Sequence, residues 1–336
     1  MIVLSSVRRL APGLLLIAAA SAAVVLTDRS GAKGDVPTVA VVTYSRTSVF
    51  EDAFAGFVAE MKELGYEDGT SMRLVLRDAQ LDVGTLNTIV ATIAEERPTV
   101  VVPMTTMALQ ATIRRIKDRP VVFTLIASGI AAGAGTSATE HLPNVTGNEV
   151  QGDWDGMVRT LRAALPRVRK VGTLFAPGEA NSVFNRDQWR ARLAKDGIEL
   201  VSAPADRPTE IPEAADALIA QGVEVITQIS DVSSSSGFTS IVRSADRADV
   251  PVFGFATSAV RDGATLALAR DFRQTGVDGA RLVDRVLRGE DPARMPFTET
   301  TKTVTVVNPD RLRRFGVALP AALLEGATEL REAARP

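Results

Sequence analysis

The sequence predicts an α/β protein made of two doubly wound parallel-sheet lobes joined by a hinge. Three observations carry that expectation. Apolar, β-branched runs alternate with amphipathic helical stripes, many of which stop at a glycine. The alternation runs once, is interrupted, and then runs again with elements of similar length. Finally, the chain has 336 residues, whereas single cores stop growing at roughly 250 to 300.

The first run, Thr38 to Thr43, has the near-continuous apolar character of a parallel strand covered on both faces. The following helix sets Phe50, Phe54, Phe57, Val58, Met61 and Leu64 on one stripe and stops at Gly65. Strand, helix, strand, helix and strand are then predicted over Met72–Leu76, Val83–Glu95, Val100–Pro103, Met107–Lys117 and Val121–Ile126. The Gly/Ala/Thr-rich stretch from Ile130 to Gly147 reads as a crossing between lobes. The second series has helices over Trp154–Leu165, Val183–Asp196, Ile211–Ala220 and Phe238–Ala248. Its strands are predicted over Lys170–Phe175, Glu199–Ser202, Val223–Gln228 and Pro251–Phe255. A short strand at Leu266–Ala269, a helix at Phe272–Leu287, a link at Gly289–Pro296 and a strand at Thr303–Val307 are left over. Asn308-Pro309 then supplies an N-cap and a first-turn proline for a closing helix. Leftover elements after two complete series imply more than one crossing between lobes, and multiple crossings make a hinge.

Composition removes whole classes of chemistry. With 38 basic against 40 acidic side chains, the net charge of −2 gives no reason to expect a nucleic-acid groove. The absence of cysteine and the single histidine, His141, remove disulfides, thiolate nucleophiles and multi-histidine metal sites. No G-x-S-x-G elbow or phosphate-binding G-x-x-x-x-G-K-[ST] loop occurs. No catalytic residue, metal or cofactor is expected, and the chain reads as a non-enzyme. His141 and the two tryptophans, Trp154 and Trp189, read as structural side chains.

Arg8 and Arg9 precede an uncharged run from Leu10 to Leu26, followed by a short polar stretch with Ser30-Gly31-Ala32 as the candidate cleavage site. Residues 1–32 therefore read as a secretory signal or, if retained, as a membrane tether. A lipid anchor is excluded because the acylated cysteine is missing. The expected location is periplasmic or extracellular.

In open parallel sheets, ligands sit beyond the carboxyl ends of the strands. Three loops of the first series fall there: Tyr44-Ser45 after the first strand, Thr105-Thr106 after the third, and Ser128 after the fourth. Each puts hydroxyls and helix-start N–H groups where a small polar ligand would bind, although the same residues also serve as ordinary caps. In the second series, Pro177-Gly178-Glu179-Ala180-Asn181-Ser182 lies between a strand and a helix. There Asn181 or Ser182 would cap the helix while its first amides meet a ligand carboxylate. Asp231, before the serine run Ser233–Ser236, would pair with a ligand ammonium or cap the next helix.

The chain resembles the ABC-transporter substrate-binding proteins of the family that includes tryptophan- and tyrosine-binding members. The residues that carry the resemblance are Gly56-Phe57, Leu64-Gly65-Tyr66, Asp78-Ala79-Gln80, Asn144-Val145-Thr146-Gly147 and Arg288-Gly289-Glu290-Asp291-Pro292. The run Pro177-Gly178-Glu179-Ala180-Asn181-Ser182 is the most specific of them. The resemblance implies a type I periplasmic-binding-protein fold, with lobe one over 37–148 plus 256–292 and lobe two over 149–255 plus 300–320. Residues 321–336 are left as a tail. It further implies that Asn181 and Ser182 belong to a ligand-carboxylate loop and that Asp231 is the acid of a Thr-Asp-Asn-like segment. Where the family shows His-Pro, Thr-Asp-Pro and Ser-Asp-Glu, this chain has Ser48-Val49, Ala127-Ser128-Gly129 and Phe255-Ala256-Thr257. Glu179 and Asp231 are then the remaining candidate partners for an ammonium, which needs a counter-charge when buried. The expectation is a monomeric solute-binding protein of an ABC importer. It would close on a small molecule, an aromatic or apolar amino acid or a related carboxylate, and present it to an ABC permease. The alternative is a membrane-anchored ligand-sensing receptor that passes closure to a signalling partner.

Overall fold

The structure is a computed structural model that describes residues 36–331. The expected export signal or anchor, residues 1–32, lies outside the described residues. Five parallel strands begin the fold: β1 (Thr38–Thr43), β2 (Arg73–Asp78), β3 (Val100–Pro103), β4 (Val121–Ile126) and β5 (Val145–Glu149). A second sheet starts with β6 (Lys170–Phe175), β7 (Glu199–Pro204), β8 (Val225–Thr227), β9 (Val252–Gly254) and β10 (Leu266–Arg270). The chain then returns to the first sheet, where β11 (Thr298–Glu299) pairs with β5. Finally β12 (Thr303–Val307) joins β10 antiparallel and β13 (Thr328–Glu329) pairs with β12. The strand orders are β11-β5-β4-β3-β1-β2 and β13-β12-β10-β9-β8-β6-β7.

The unbroken apolar strands follow from burial on two sides. In β1, Ala40 and Val42 feed one core cluster and Val39 and Val41 the other, so alternate side chains enter opposite faces of one sheet. The faces of the first sheet are covered by α1 (Ser48–Glu63), α2 (Val83–Glu96) and α3 (Thr106–Arg115). The second lobe carries α4 (Trp154–Ala164), α5 (Ala180–Lys195), α6 (Ile211–Ala220), α7 (Val232–Ser236) and α8 (Phe238–Arg247). Trp154 and Trp189 pack at 5.8 Å between ring centroids in the second lobe's core.

The lobes part at places the sequence did not mark. The segment Ile130–Gly147, expected as a crossing, stays in the first lobe and ends in its sheet. Its small residues are there for close packing: Ala132 and Ala134 are buried in the core, and a Cβ on Gly147 would lie 2.3 Å from the Phe123 ring. His141 stacks on Phe297 at 4.7 Å within this lobe. The strand at Leu266–Arg270, expected in lobe one, is an interior strand of the second sheet, paired to both β9 and β12. Lobe one resumes with α9 (Phe272–Leu287) and extends through β11, past the expected limit at 292. The expected tail contributes β13 to the second sheet. α9 lies against α1 with two glycines at the contact: a Cβ on Gly276 would fall 1.8 Å from the Ala53 carbonyl oxygen, and one on Gly56 2.0 Å from that of Arg273. The closing helix α10 (Pro309–Arg314) starts as expected, with the Asn308 side chain accepting from the Asp310 and Arg311 amides.

Three crossings therefore join the lobes, after Glu149, after Arg270 and after Glu299. Arg270 ties them together. Its Nε donates to the Gln151 carbonyl at 2.7 Å, and its Nη1 donates to Thr303 Oγ1 at 2.8 Å and to the Thr301 carbonyl. Across the cleft Ser48 and Ser258 hydroxyls lie 2.8 Å apart, joining the start of α1 to the second lobe.

Candidate functional site

Facing strand ends place the site between the lobes. A chamber of about 600 Å³, its opening included, is bounded by the loops after β1, β3 and β4 on one side and after β6 and β8 on the other. The first lobe supplies an apolar wall edged with hydroxyls: Val49, Phe50, Met104, Leu125, Thr105 and Thr106. Thr47 and Thr105 cap α1 and α3, accepting from the Phe50 and Ala108 amides at 3.3 and 3.4 Å. Thr105 Oγ1 also accepts from the Tyr44 amide at 3.0 Å, which joins two strand-end loops. Leu125 reaches the chamber through an irregularity that the sequence does not announce. Its φ is +61°, where β4 slips register against β5 between Phe123 and Ile126.

The second lobe supplies two carboxylates. Pro177-Gly178 turns the chain, closed by Glu179 N–H to the Ala176 carbonyl at 3.0 Å, and Glu179 in an extended conformation becomes the N-cap of α5. The helix thus begins at Ala180, three residues earlier than expected, so Asn181 and Ser182 lie in its first turn and do not cap it. With no capping bond to its own helix, the Glu179 carboxylate reaches α7 instead. There it accepts from the Val232 and Ser233 amides at 3.0 and 3.2 Å. Asp231 caps the same helix, accepting from Ser234 N–H at 2.6 Å and from the Ser182 hydroxyl at 2.6 Å. Asn181 Nδ2 donates to the Ser230 carbonyl at 3.0 Å, and Asn185 does the same at 2.8 Å, fixing the loop between β8 and α7.

This packing sets the charge of the site. Burial, reinforced by the neighbouring Asp231 charge, pushes the Glu179 carboxyl up from 4.5 to about 7. Burial likewise raises Asp231, against the hydrogen bonds from Ser182 and Ser234. Burial, with the charges of Glu179 and Asp82, also raises the Tyr44 phenol. No lysine, arginine or histidine lines the chamber among the described residues. Two carboxylates forced together against an apolar wall suit a ligand with a cationic group and an apolar body.

Of the residues singled out from sequence, Thr105, Thr106, Glu179, Asn181 and Asp231 line the chamber, and Tyr44 lines a neighbouring outer compartment. Ser45, Ser128, Ala180 and Ser182 line neither. The Ser182 hydroxyl is occupied within the second lobe, donating to Asp231 and accepting from the Ala176 amide at 2.8 Å, so it braces the acid and offers no donor to a ligand carboxylate. Ser128 Oγ accepts from the Ala131 amide at 3.2 Å and shapes its own turn. Thr43 Oγ1 donates to the Ser45 carbonyl at 2.8 Å within the loop after β1. Sequence reasoning sought polar strand-end residues and so missed the apolar wall. Phe50 looked like a helix-stripe residue, Val49 stood out only as a departure from the family's His-Pro, and nothing in the sequence marks the left-handed turn at Leu125.

The family model described as ABC transporter substrate binding protein matches residues 38–331. A tyrosine-binding protein of Clostridioides difficile is 22% identical over 263 residues, covering 78% of this chain and 76% of that protein. Among solved structures, a conserved domain protein of Vibrio cholerae O1 biovar eltor superposes with a TM-score of 0.83 at 29% identity, covering 88% of this chain and 99% of that one. An ABC domain from Streptococcus pneumoniae in complex with L-Trp gives a TM-score of 0.83 at 22% identity, covering 87% and 99%.

Proposed function

Because the chain belongs to the family of ABC transporter substrate-binding proteins, we propose that it is an extracytoplasmic solute-binding protein that closes its lobes on an apolar amino acid and presents it to an ABC permease. The observation that carries the ligand class is the pair Glu179 and Asp231, buried opposite Phe50, Met104 and Leu125 in a chamber lined by no cation. A ligand ammonium would relieve the pair. It would replace like-charge repulsion with charge-assisted hydrogen bonds, which are about twice as strong as neutral ones. The ligand carboxylate would then suit the helix starts at Thr47 and Thr105, where uncompensated N–H groups favour anions. This assigns the carboxylate to the first lobe, opposite to the loop at Asn181 and Ser182. A tyrosine-binding relative and an L-Trp complex among the similar structures support the same ligand class. On this reading, residues 1–32 direct export.

Isothermal titration of the protein at pH 8 with L-leucine, L-tyrosine, L-tryptophan and the polyol myo-inositol tests the reading. Saturable binding of at least one of the amino acids, with none of the polyol, is the expected outcome. Polyol binding with all three amino acids silent would sink it.

A further inference from the structure

Glu179 and Met107, which line the chamber, also line a second compartment of about 730 Å³, open to solvent, so these two side chains form the wall shared by the two spaces. Its first-lobe wall is Tyr44, Leu81 and Val83, with Gly178, Arg207 and Ser233 among the residues facing it from the second.

Several features mark this compartment as built. Leu81 and Val83 are 40% and 47% exposed, although large apolar side chains are ordinarily covered. Gln80 and Leu81 both hold left-handed backbone, with φ of 52° and 66°, a conformation that is strained for a non-glycine residue. That conformation is clamped to the site: Leu81 N–H donates to the Tyr44 carbonyl at 2.9 Å, and the Tyr44 hydroxyl donates to the Leu81 carbonyl at 2.8 Å. On the facing wall, the Ser233 hydroxyl is buried without a partner, as few buried polar groups are. Arg207 gives this compartment the cation that the inner chamber lacks. Its exposed ion pair with Glu210 is of the kind that holds weakly, so the guanidinium can be recruited elsewhere.

Asp206 also lines the outer compartment, but its Oδ1 already accepts from the Gly178 amide at 2.8 Å. The acid pair Glu179 and Asp231 on the inner side and the Arg207 guanidinium on the outer, with an apolar lining between, suit a zwitterion whose charges stand further apart than in a free amino acid. We propose that the outer compartment is a subsite for the carboxyl-side extension of the ligand, so that the substrate class is a short peptide with a free N-terminus and apolar side chains. The ammonium lies at Glu179 and the first side chain in the inner chamber. The second side chain lies on Leu81 and Val83, with its carboxylate toward Arg207. This assignment rests on the amine-binding reading above.

Titration of the full chain with L-leucine and with L-leucyl-L-leucine, repeated with the Leu81→Ser/Val83→Ser variant, separates the two ideas. The dipeptide is expected to bind at least tenfold more tightly than leucine, about the gain from covering one apolar side chain. The variant is expected to lose at least fivefold more affinity for the dipeptide than for leucine. Both substitutions fall on exposed side chains, and circular dichroism checks that the variant folds. Leucine binding as tightly as the dipeptide, or equal losses for both in the variant, overturns the outer subsite and leaves the amine-binding reading standing. If neither compound binds, the outer subsite falls, and the amine-binding reading is decided by the tyrosine and tryptophan titrations.

Discussion

Replacing Glu179 by glutamine should remove a loss of stability that the ligand-free protein suffers as pH rises, while weakening its hold on a ligand ammonium. Glu179 ordinarily titrates near 4.5 and in the fold near 7, so between those values the folded protein keeps a proton that the unfolded chain has released. The folded pKa is raised. The stabilising contribution is therefore complete below about pH 4.5, is lost as pH rises towards 7, and stays lost above it. Each pH unit in that window is worth about 1.36 kcal/mol. Glutamine resembles the protonated acid and carries no such loss. The stability of Glu179→Gln relative to wild type should therefore grow by about 2–3 kcal/mol between pH 5 and pH 8, or roughly 3–5 °C in Tm for a chain of this size. Scanning calorimetry of both proteins at the two pH values, without ligand, reads this directly. On ligand titration at pH 8 the same variant should lose about 30-fold in affinity, corresponding to one charge-assisted bond of about 2 kcal/mol. A Tm difference that does not change between pH 5 and pH 8 would refute the argument, because it would mean that Glu179 is not the proton-holding group.

Two further substitutions test the scaffold. Ser182→Ala removes the hydroxyl that donates to Asp231 and accepts from the Ala176 amide, leaving buried groups unmatched. Urea denaturation should show a loss of about 1–3 kcal/mol, and unchanged stability would mean that the hydroxyl does not brace the acid. Gly276→Ala sets a methyl 1.8 Å from the Ala53 carbonyl oxygen and must force α9 off α1. A loss of about 1–3 kcal/mol, or more, is expected on chemical denaturation, and a neutral result would show that the two helices separate freely.

The strand-end rule located the chamber from sequence because parallel sheets leave free helix starts and loops at one edge. It found Thr105, Thr106, Glu179, Asn181 and Asp231, each within a residue of a helix start. It misjudged what the loop at 176–182 offers. Seen alone, Asn181 and Ser182 look like free donors. In the fold their donors are already turned to the Ser230 carbonyl and Asp231 from a loop 49 residues away. Hydrogen-bond competition between segments distant in sequence leaves no local trace. The crossing assigned to Ile130–Gly147 failed for a related reason, since small residues are common to linkers and to tightly packed strands. Burial of Ala132 and Ala134 and the Phe123 ring against Gly147 tell the two apart.

By itself, then, the sequence determined the two-lobe α/β architecture. Period and capping are local properties, and β-branched runs, helical stripes and glycine stops each act over a few residues. It also determined which loops would meet at the cleft. Tertiary structure alone decided that the strand at Leu266–Arg270 belongs to the second sheet, that Arg270 ties the three crossings, and that Glu179 turns from its own helix to α7 and comes up against Asp231. Those outcomes depend on which distant groups compete for the same donors and the same buried space. Burial and like charge then give the Glu179 carboxyl its raised pKa, a property that no residue of the chain has until the lobe is folded around it.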